Sequence, residues 1–303
     1  MRRQSDQRRR RSPGALRAVV LRPGIVLPAL VALATVLLGG CAGAPDESEP
    51  PVITEAPPTA PPTLIGERVE LVVFGAASLR DALAAAKSVY EMDHPTITLT
   101  VAADSSAALR TQIEQGAAAD VFLSADSVNA QRLVEAGFAD GEPVAFAQNA
   151  LALVVPSSNP AGIQAPADLA DPGVKIIAAG EDVPITLYAQ EVVRKLAGLA
   201  GYPAGFAVAY GANVVSREDN VRAVLAKLEL AEGDAGFVYV TDAVSSTQVQ
   251  VVPLPAGTNV AATYAGVVVG DSTQPAEARQ FLEWIAGPDG QAVLARFGFG
   301  PPP

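Results

Sequence analysis

The sequence predicts an α/β protein whose folded part is divided into two lobes. Three observations predict it. From Val69 onward, short β-rich runs alternate with stretches of helical periodicity, at the spacing of βαβ units built on parallel sheets. The composition is globular, with 50% hydrophobic and only 17% charged residues. About 235 residues of this alternating kind suit two α/β lobes better than one.

The elements follow in order. Val69 to Phe74 is a β-rich run closed by Gly75, and Ser78 precedes a helix with apolar residues at Leu79, Leu83, Ala86 and Tyr90. Ile97 to Val101 is a second strand, followed by Ser105-Ser106 and a helix through Gln115 that Gly116 stops. Ala119 to Leu123 is a third strand, with a helix over Ser127 to Ala136 ended by Gly137. The middle third continues the alternation, with strands at Leu151 to Val155 and Lys175 to Ala179, and helices at Ile185 to Ala197 and Asp219 to Glu232. Ala235 to Val240 is a strand, with Thr241-Asp242 beginning a further helical turn. Gln250 to Pro253 and Ala261 to Val269 are strands, and two helices close the chain over Gln274 to Gly287 and Asp289 to Phe297, with Pro288 between them.

Ahead of this body lies a different kind of sequence. Residues 1–41 hold eight Arg and one Asp, and Gly24 to Leu38 is an apolar run of 15 residues, short of the roughly 20 that span a bilayer. A basic start followed by such a run is the pattern of an export signal. It ends in Leu38-Gly39-Gly40-Cys41, which resembles the bacterial lipobox. That resemblance implies that Cys41 is acylated and becomes the N-terminus of the mature protein. The competing reading is a buried core cysteine behind an uncleaved anchor. Ala44 to Ile65 then carries seven Pro and four acidic residues, a composition that favours extended, solvated chain. Residues 42–66 are therefore expected to be a disordered tether.

Scarce residues exclude whole function classes. One Cys and one His cannot supply the four ligands of a structural zinc site, and no disulfide forms within the chain. His94, between a helix and a strand, is expected to be a plain turn residue. After Cys41 the net charge is −18, which disfavours nucleic-acid binding. No Gly-x-x-x-x-Gly-Lys-Ser/Thr loop is present, so no nucleotide-hydrolysing subunit is included.

Four strand-to-helix junctions share one property. Ser78, Ser106, Val183-Pro184-Ile185 and Asn220-Val221 each stand at or just inside an expected helix start. Helix N-termini carry unpaired N–H groups and about half a positive charge, so they attract anions without any Lys or Arg. A site made only of donors favours a fully ionised oxyanion and rejects one that still carries a proton. The plainer reading is that Ser78 and Ser106 are helix caps worth about 1 kcal/mol each, and that Tyr239 is a strand packing residue. A third class of reading uses Asp120, Asp126 or Asp242 as acid-base carboxylates; these positions are better explained as helix caps.

Six segments carry a family resemblance. They are Phe74-Gly75-Ala76-Ala77-Ser78-Leu79, Ser105 to Ile113, Ala119 to Asp126, Val183-Pro184 with Tyr188-Ala189, Asp219 to Arg222, and Gly236 to Ala243. Together they resemble successive motifs of the molybdate-binding proteins of ABC transporters (ModA), in register from about Val69 to Phe299. The resemblance implies a two-lobed periplasmic binding protein fold of type II, each lobe a mixed, mostly parallel sheet flanked by helices, with the ligand cleft between them. Carried onto this chain, it implies residues 67–148 and 253–300 as lobe 1 and 149–252 as lobe 2. The lobes would cross near Gln148-Asn149 and Val252-Pro253. Ser78 and Ser106 would donate hydroxyls, Ile185 and Val221 backbone N–H groups, and Tyr239 its phenol.

Molybdenum would be bound only as the oxyanion molybdate, or tungsten as tungstate, with no protein atom on the metal and no cofactor. The implied partners are an ABC permease with separate ATPase subunits and the cell membrane, reached through the lipid at Cys41. The protein would act as a monomer outside the cytoplasm and would not be an enzyme. Sulfate or phosphate is the alternative cargo. Two departures stand out: Ile185-Thr186-Leu187 replaces small residues and brings an extra hydroxyl at Thr186, and Asp104 puts an acidic side chain near an anion site.

Overall fold

The computed structural model describes residues 68–303. The expected export signal, Cys41 and the linker over 42–66 lie outside the described residues.

The first strand, β1 (Val69–Ala76), runs parallel to β2 (Ile97–Asp104) through all eight residue pairs and parallel to β3 (Val121–Ser124) on its other side. The connections are helical: a 3-10 turn (Ala77–Leu79) leads into α1 (Arg80–Asp93), and α2 (Ser106–Glu114) follows β2. After β3 come α3 (Ser127–Glu135) and the long β4 (Ala139–Pro156). The middle of the chain gives β5 (Ile176–Ala179), α4 (Pro184–Ala197), α5 (Phe206–Ala212), β6 (Val214–Glu218) and α6 (Val221–Glu229). Then follow β7 (Gly236–Tyr239), α7 (Val240–Val244), β8 (Val249–Val252), β9 (Ala261–Val269), α8 (Pro275–Ala286) and α9 (Pro288–Ala295).

The main sheet has the order β2-β1-β3-β9-β4-β7, with β8 also on β4, while β5 and β6 pair in parallel beside it. It is mixed: antiparallel pairing is concentrated on β4 and β9. β4 serves both halves of the molecule. Its residues up to Ala150 pair with β9, and from Leu151 they pair with β7 and β8. Near the changeover Gln148 is also bridged to Gly300 by reciprocal backbone hydrogen bonds of 2.9 Å.

Period-two alternation explains how β1 and β3 hold their helices. Leu71, Val73, Val121 and Leu123 join one core with Leu79, Leu83, Tyr90, Phe281 and Ile285. Phe74 and Phe122 join a second with Leu109, Ile113, Leu133 and Val267, because successive side chains point to opposite faces. Each such large side chain contributes about 1.5–3 kcal/mol of apolar burial. Strands buried on both faces read as continuous apolar runs, as β3 and β7 do.

The structure corrects several boundaries. β4 begins twelve residues ahead of Leu151, through a segment irregular between Asp140 and Val144 and again between Ala145 and Ala147. α5 and β6 were not expected; α5 is a seven-residue helix behind Gly205, which adopts φ 81°. Pro288 is the first residue of α9, where its missing N–H costs nothing, rather than a spacer. His94 ends α1, its ring stacked 4.1 Å from that of Tyr90, in line with the turn role expected. Among the described residues no helix is long and apolar enough to cross a membrane.

Candidate functional site

Four helix starts converge on one small cavity of about 10 Å³. From the first half come Ala76, Ala77 and Ser78 at the end of β1, Ser105 and Ser106 at the start of α2, and Ala125 after β3. From the second half come Val183 and Pro184 ahead of α4, Asn220 and Val221 at the start of α6, and Tyr239 at the end of β7. No Lys or Arg lines it. That volume is at the lower limit for a single water molecule, so the cavity is tightly closed and has no room for a drug-sized ligand.

Each expected residue has a definite place. Ser78 sits in the 3-10 turn, with its hydroxyl 2.8 Å from that of Tyr264. Tyr264 in turn lies 3.4 Å from the Asn149 amide, whose N–H also reaches Thr241 Oγ1 at 2.9 Å. The Ser78–Tyr264 bond can run in either direction; with Tyr264 as its donor, the Ser78 proton is free to point into the cavity. Ser106 Oγ accepts the Ala125 N–H at 3.0 Å, which likewise leaves its O–H as a donor. Neither serine caps a helix, so the capping explanation of these two does not hold.

Val221 is the first residue of α6, behind Asn220, whose side chain caps the helix by accepting the Ala223 N–H at 3.1 Å. Its own N–H belongs to the set that helix geometry leaves unpaired. The Tyr239 hydroxyl is fully buried and has no partner among the described residues. Burial drives its pKa well above 10, so it is a neutral phenol and an available donor.

Ile185 stands apart: its side chain does not line this cavity but a larger one, of about 370 Å³, between α4, α5, β5 and β6. Ile185 is the second residue of α4, and because Pro184 has no N–H its own is the first the helix offers. That larger space is walled mainly by apolar groups, with Arg194 and Arg217 among its lining, whereas the smaller one gathers the helix starts and hydroxyls.

The departures resolve. Thr186 adds no hydroxyl to the cavity, because it donates to Gly180 O at 2.7 Å. The Asp104 carboxylate does not line the cavity; its Oδ1 accepts from the Ser105 N–H at 2.7 Å and from Asn220 Nδ2 at 2.9 Å. That second bond joins the two halves beside the site. A parallel contact runs from Arg222 to Asp81 Oδ2 at 2.5 Å. Arg222 Nε also lies 2.9 Å from Asp242 Oδ1, an ion pair by distance though off the line of a good hydrogen bond.

Of the three Asp residues weighed as carboxylate catalysts, Asp126 is the cap of α3, accepting from Asn129 N at 2.8 Å. Asp120 is no cap: it ties β1 to the β9–α8 loop through Val72 N and Ser272 Oγ. Asp242 is buried within α7 and paired to Arg222. Among the described residues no group of three or more His, Cys, Asp or Glu is placed to hold a metal ion. One residue that sequence reasoning missed also faces the cavity: Ser105, whose hydroxyl has no partner among the described residues.

Comparison with known proteins bears on the fold and the family. Residues 71–300 match the family model described as bacterial extracellular solute-binding protein. The molybdate-binding protein ModA of Mycobacterium tuberculosis is 35% identical over 233 residues, covering 77% of this chain and 85% of that one. A putative ABC transporter substrate-binding lipoprotein of Bacillus subtilis, YvgL, is 32% identical over 77% of this chain and 87% of its own. Among solved structures, the substrate-binding domain of a putative molybdenum ABC transporter from Clostridium difficile superposes with a TM-score of 0.57 at 29% identity, covering 77% of this chain and 98% of that one. The fold is thus the two-lobed α/β fold of type II periplasmic binding proteins. The chain belongs to the bacterial extracellular solute-binding protein family, among its ModA-like members.

Proposed function

We propose that this protein captures molybdate or tungstate outside the cytoplasm and delivers it to an ABC permease, making and breaking no bond. One observation carries the reading: a small cavity lined by helix starts and hydroxyls, without a cation, in which the buried Tyr239 phenol lacks a partner. Such a donor set pairs every oxygen of a fully ionised tetrahedral dianion and penalises one whose proton meets another donor. Ser78, Ser106 and Tyr239 would give hydroxyls, and Ile185 and Val221 backbone N–H groups.

Binding would proceed by closure of lobe 1 (67–148 and 253–300) on lobe 2 (149–252), with the crossings near Gln148-Asn149 and Val252-Pro253. The change of partners along β4 supports that division. Acylation of Cys41 would tether the protein to the membrane through the stretch 42–66, and the permease and ATPase would be separate chains. The name of the B. subtilis relative supports a lipid anchor. The protein would act as a monomer.

The test is thermal unfolding with and without sodium molybdate, tungstate, sulfate and phosphate. A ligand at 100 times its Kd adds about 2.7 kcal/mol, a visible rise in Tm. A rise with molybdate and tungstate alone supports the reading. A rise with sulfate or phosphate alone replaces the cargo, and no rise with any of the four refutes oxyanion capture.

A further inference from the structure

We propose that Ser105 is a sixth ligand-binding residue whose hydroxyl donates to the captured oxyanion and whose contribution depends on closure. The inference rests on the function proposed above and extends its donor set.

Ser105 is the N-cap of α2, a position where a serine side chain ordinarily accepts a hydrogen bond from the helix's own first turn. Here it makes no such bond. Both of its backbone groups are engaged: its N–H donates to Asp104 Oδ1 at 2.7 Å and its carbonyl accepts from Leu109 N at 3.0 Å. The hydroxyl is the one group left. It belongs to a residue only 5% exposed, it has no partner among the described residues, and it lines the cavity. Buried hydroxyls are nearly always paired, and an unpaired one calls for a reason. An acceptor-rich guest in the cavity supplies it.

The two neighbouring serines are therefore not equivalent. Ser106 is anchored within its own half through Ala125 N. The Ser105 backbone is held by Asp104, and that same carboxylate oxygen takes the Asn220 amide from the other half. On the proposed closure, this shared carboxylate links Ser105 to the docking of the α6 start and puts its hydrogen bond late in capture and early in release. Its loss belongs in the dissociation rate rather than the association rate.

The test uses the full chain in detergent with sodium molybdate, comparing unaltered protein, Ser105→Ala and Ser105→Thr by calorimetric titration, stopped-flow dissociation and unliganded Tm. Ser105→Ala should weaken binding about tenfold or more, the loss expected for a hydrogen bond to a charged acceptor, with most of it in a faster dissociation. Its unliganded Tm should stay level or rise, because a buried unpaired hydroxyl has been removed. Ser105→Thr, which keeps the hydroxyl, should retain most of the affinity. Unchanged affinity in Ser105→Ala overturns the proposal, and so does a parallel drop in affinity and unliganded Tm, which marks a structural serine. If the unaltered protein binds none of molybdate, tungstate, sulfate and phosphate, the functional reading itself fails and the Ser105 assignment falls with it.

Discussion

Replacing Asp242 with Asn should remove a pH dependence of stability that the buried carboxylate imposes. Asp242 is 0% exposed and sits 2.9 Å from Arg222 Nε. Burial raises its pKa from 3.8 to about 6, against the opposing pull of the Arg222 charge. A folded-state pKa above the unfolded value means that the native protein holds the proton more tightly. The resulting stability is fully present below about pH 3.8 and is lost as pH rises through about 6. A two-unit shift corresponds to about 3 kcal/mol across that window, or about 6–12 °C in Tm for a body of this size. Other carboxylates run the opposite way: against their own desolvation, hydrogen bonds from Lys87 and Lys227 hold Glu91 and Glu218 below 4.5. The informative quantity is therefore the difference between unaltered protein and Asp242→Asn, measured by calorimetric melting from pH 4 to 7.5 at constant ionic strength. The unaltered protein should lose stability relative to the variant as pH rises. A difference that is flat across the range would refute the reasoning.

Three further outcomes follow from contacts described above. Tyr239→Phe should weaken molybdate binding about tenfold or more in titration, while leaving the unliganded Tm level or higher, since the hydroxyl it removes has no partner. Asp81→Asn should speed ligand release only a few-fold in stopped-flow, because the Asp81–Arg222 pair is half exposed on the Asp side and such pairs contribute about 0.2–1 kcal/mol; the effect should shrink at high salt. Gly236→Ala should destabilise by about 1–3 kcal/mol in denaturant unfolding, since its Cβ would stand 2.5 Å from the Ile177 carbonyl oxygen.

The legible parts of the fold were those in which local chemistry and tertiary structure agree. α3 and α6 pair an apolar stripe with a capping Asp126 or Asn220, and both were readable from the sequence. The first half of β4 was not, because Gly141-Glu142-Pro143 reads as a turn and the strand is irregular there. α5 is too short and too rich in small residues to show a period, and its start depends on Gly205. At the cavity, Ser78, Ser106 and Val221 stand at helix starts, which have a sequence signature, whereas Tyr239 reads as a strand packing residue and entered only through the family resemblance. Ser105 was not legible. A serine before a helix reads as a cap, and only the three-dimensional arrangement shows its hydroxyl unused.

The strand order carries a consequence for how the chain is made. β9 lies in the middle of the main sheet, yet it is the last strand synthesised. Ser124 at the end of β3 waits for Ala265, and the roughly 140 residues between them take on the order of ten seconds to emerge from a ribosome. Until then the exposed side of β3 is an unfilled edge, and the helices on both faces have no complete floor to pack on. The sheet is finished by a keystone delivered at the end. Completion of the sheet therefore waits on a pairing of high sequence separation, the kind that slows folding.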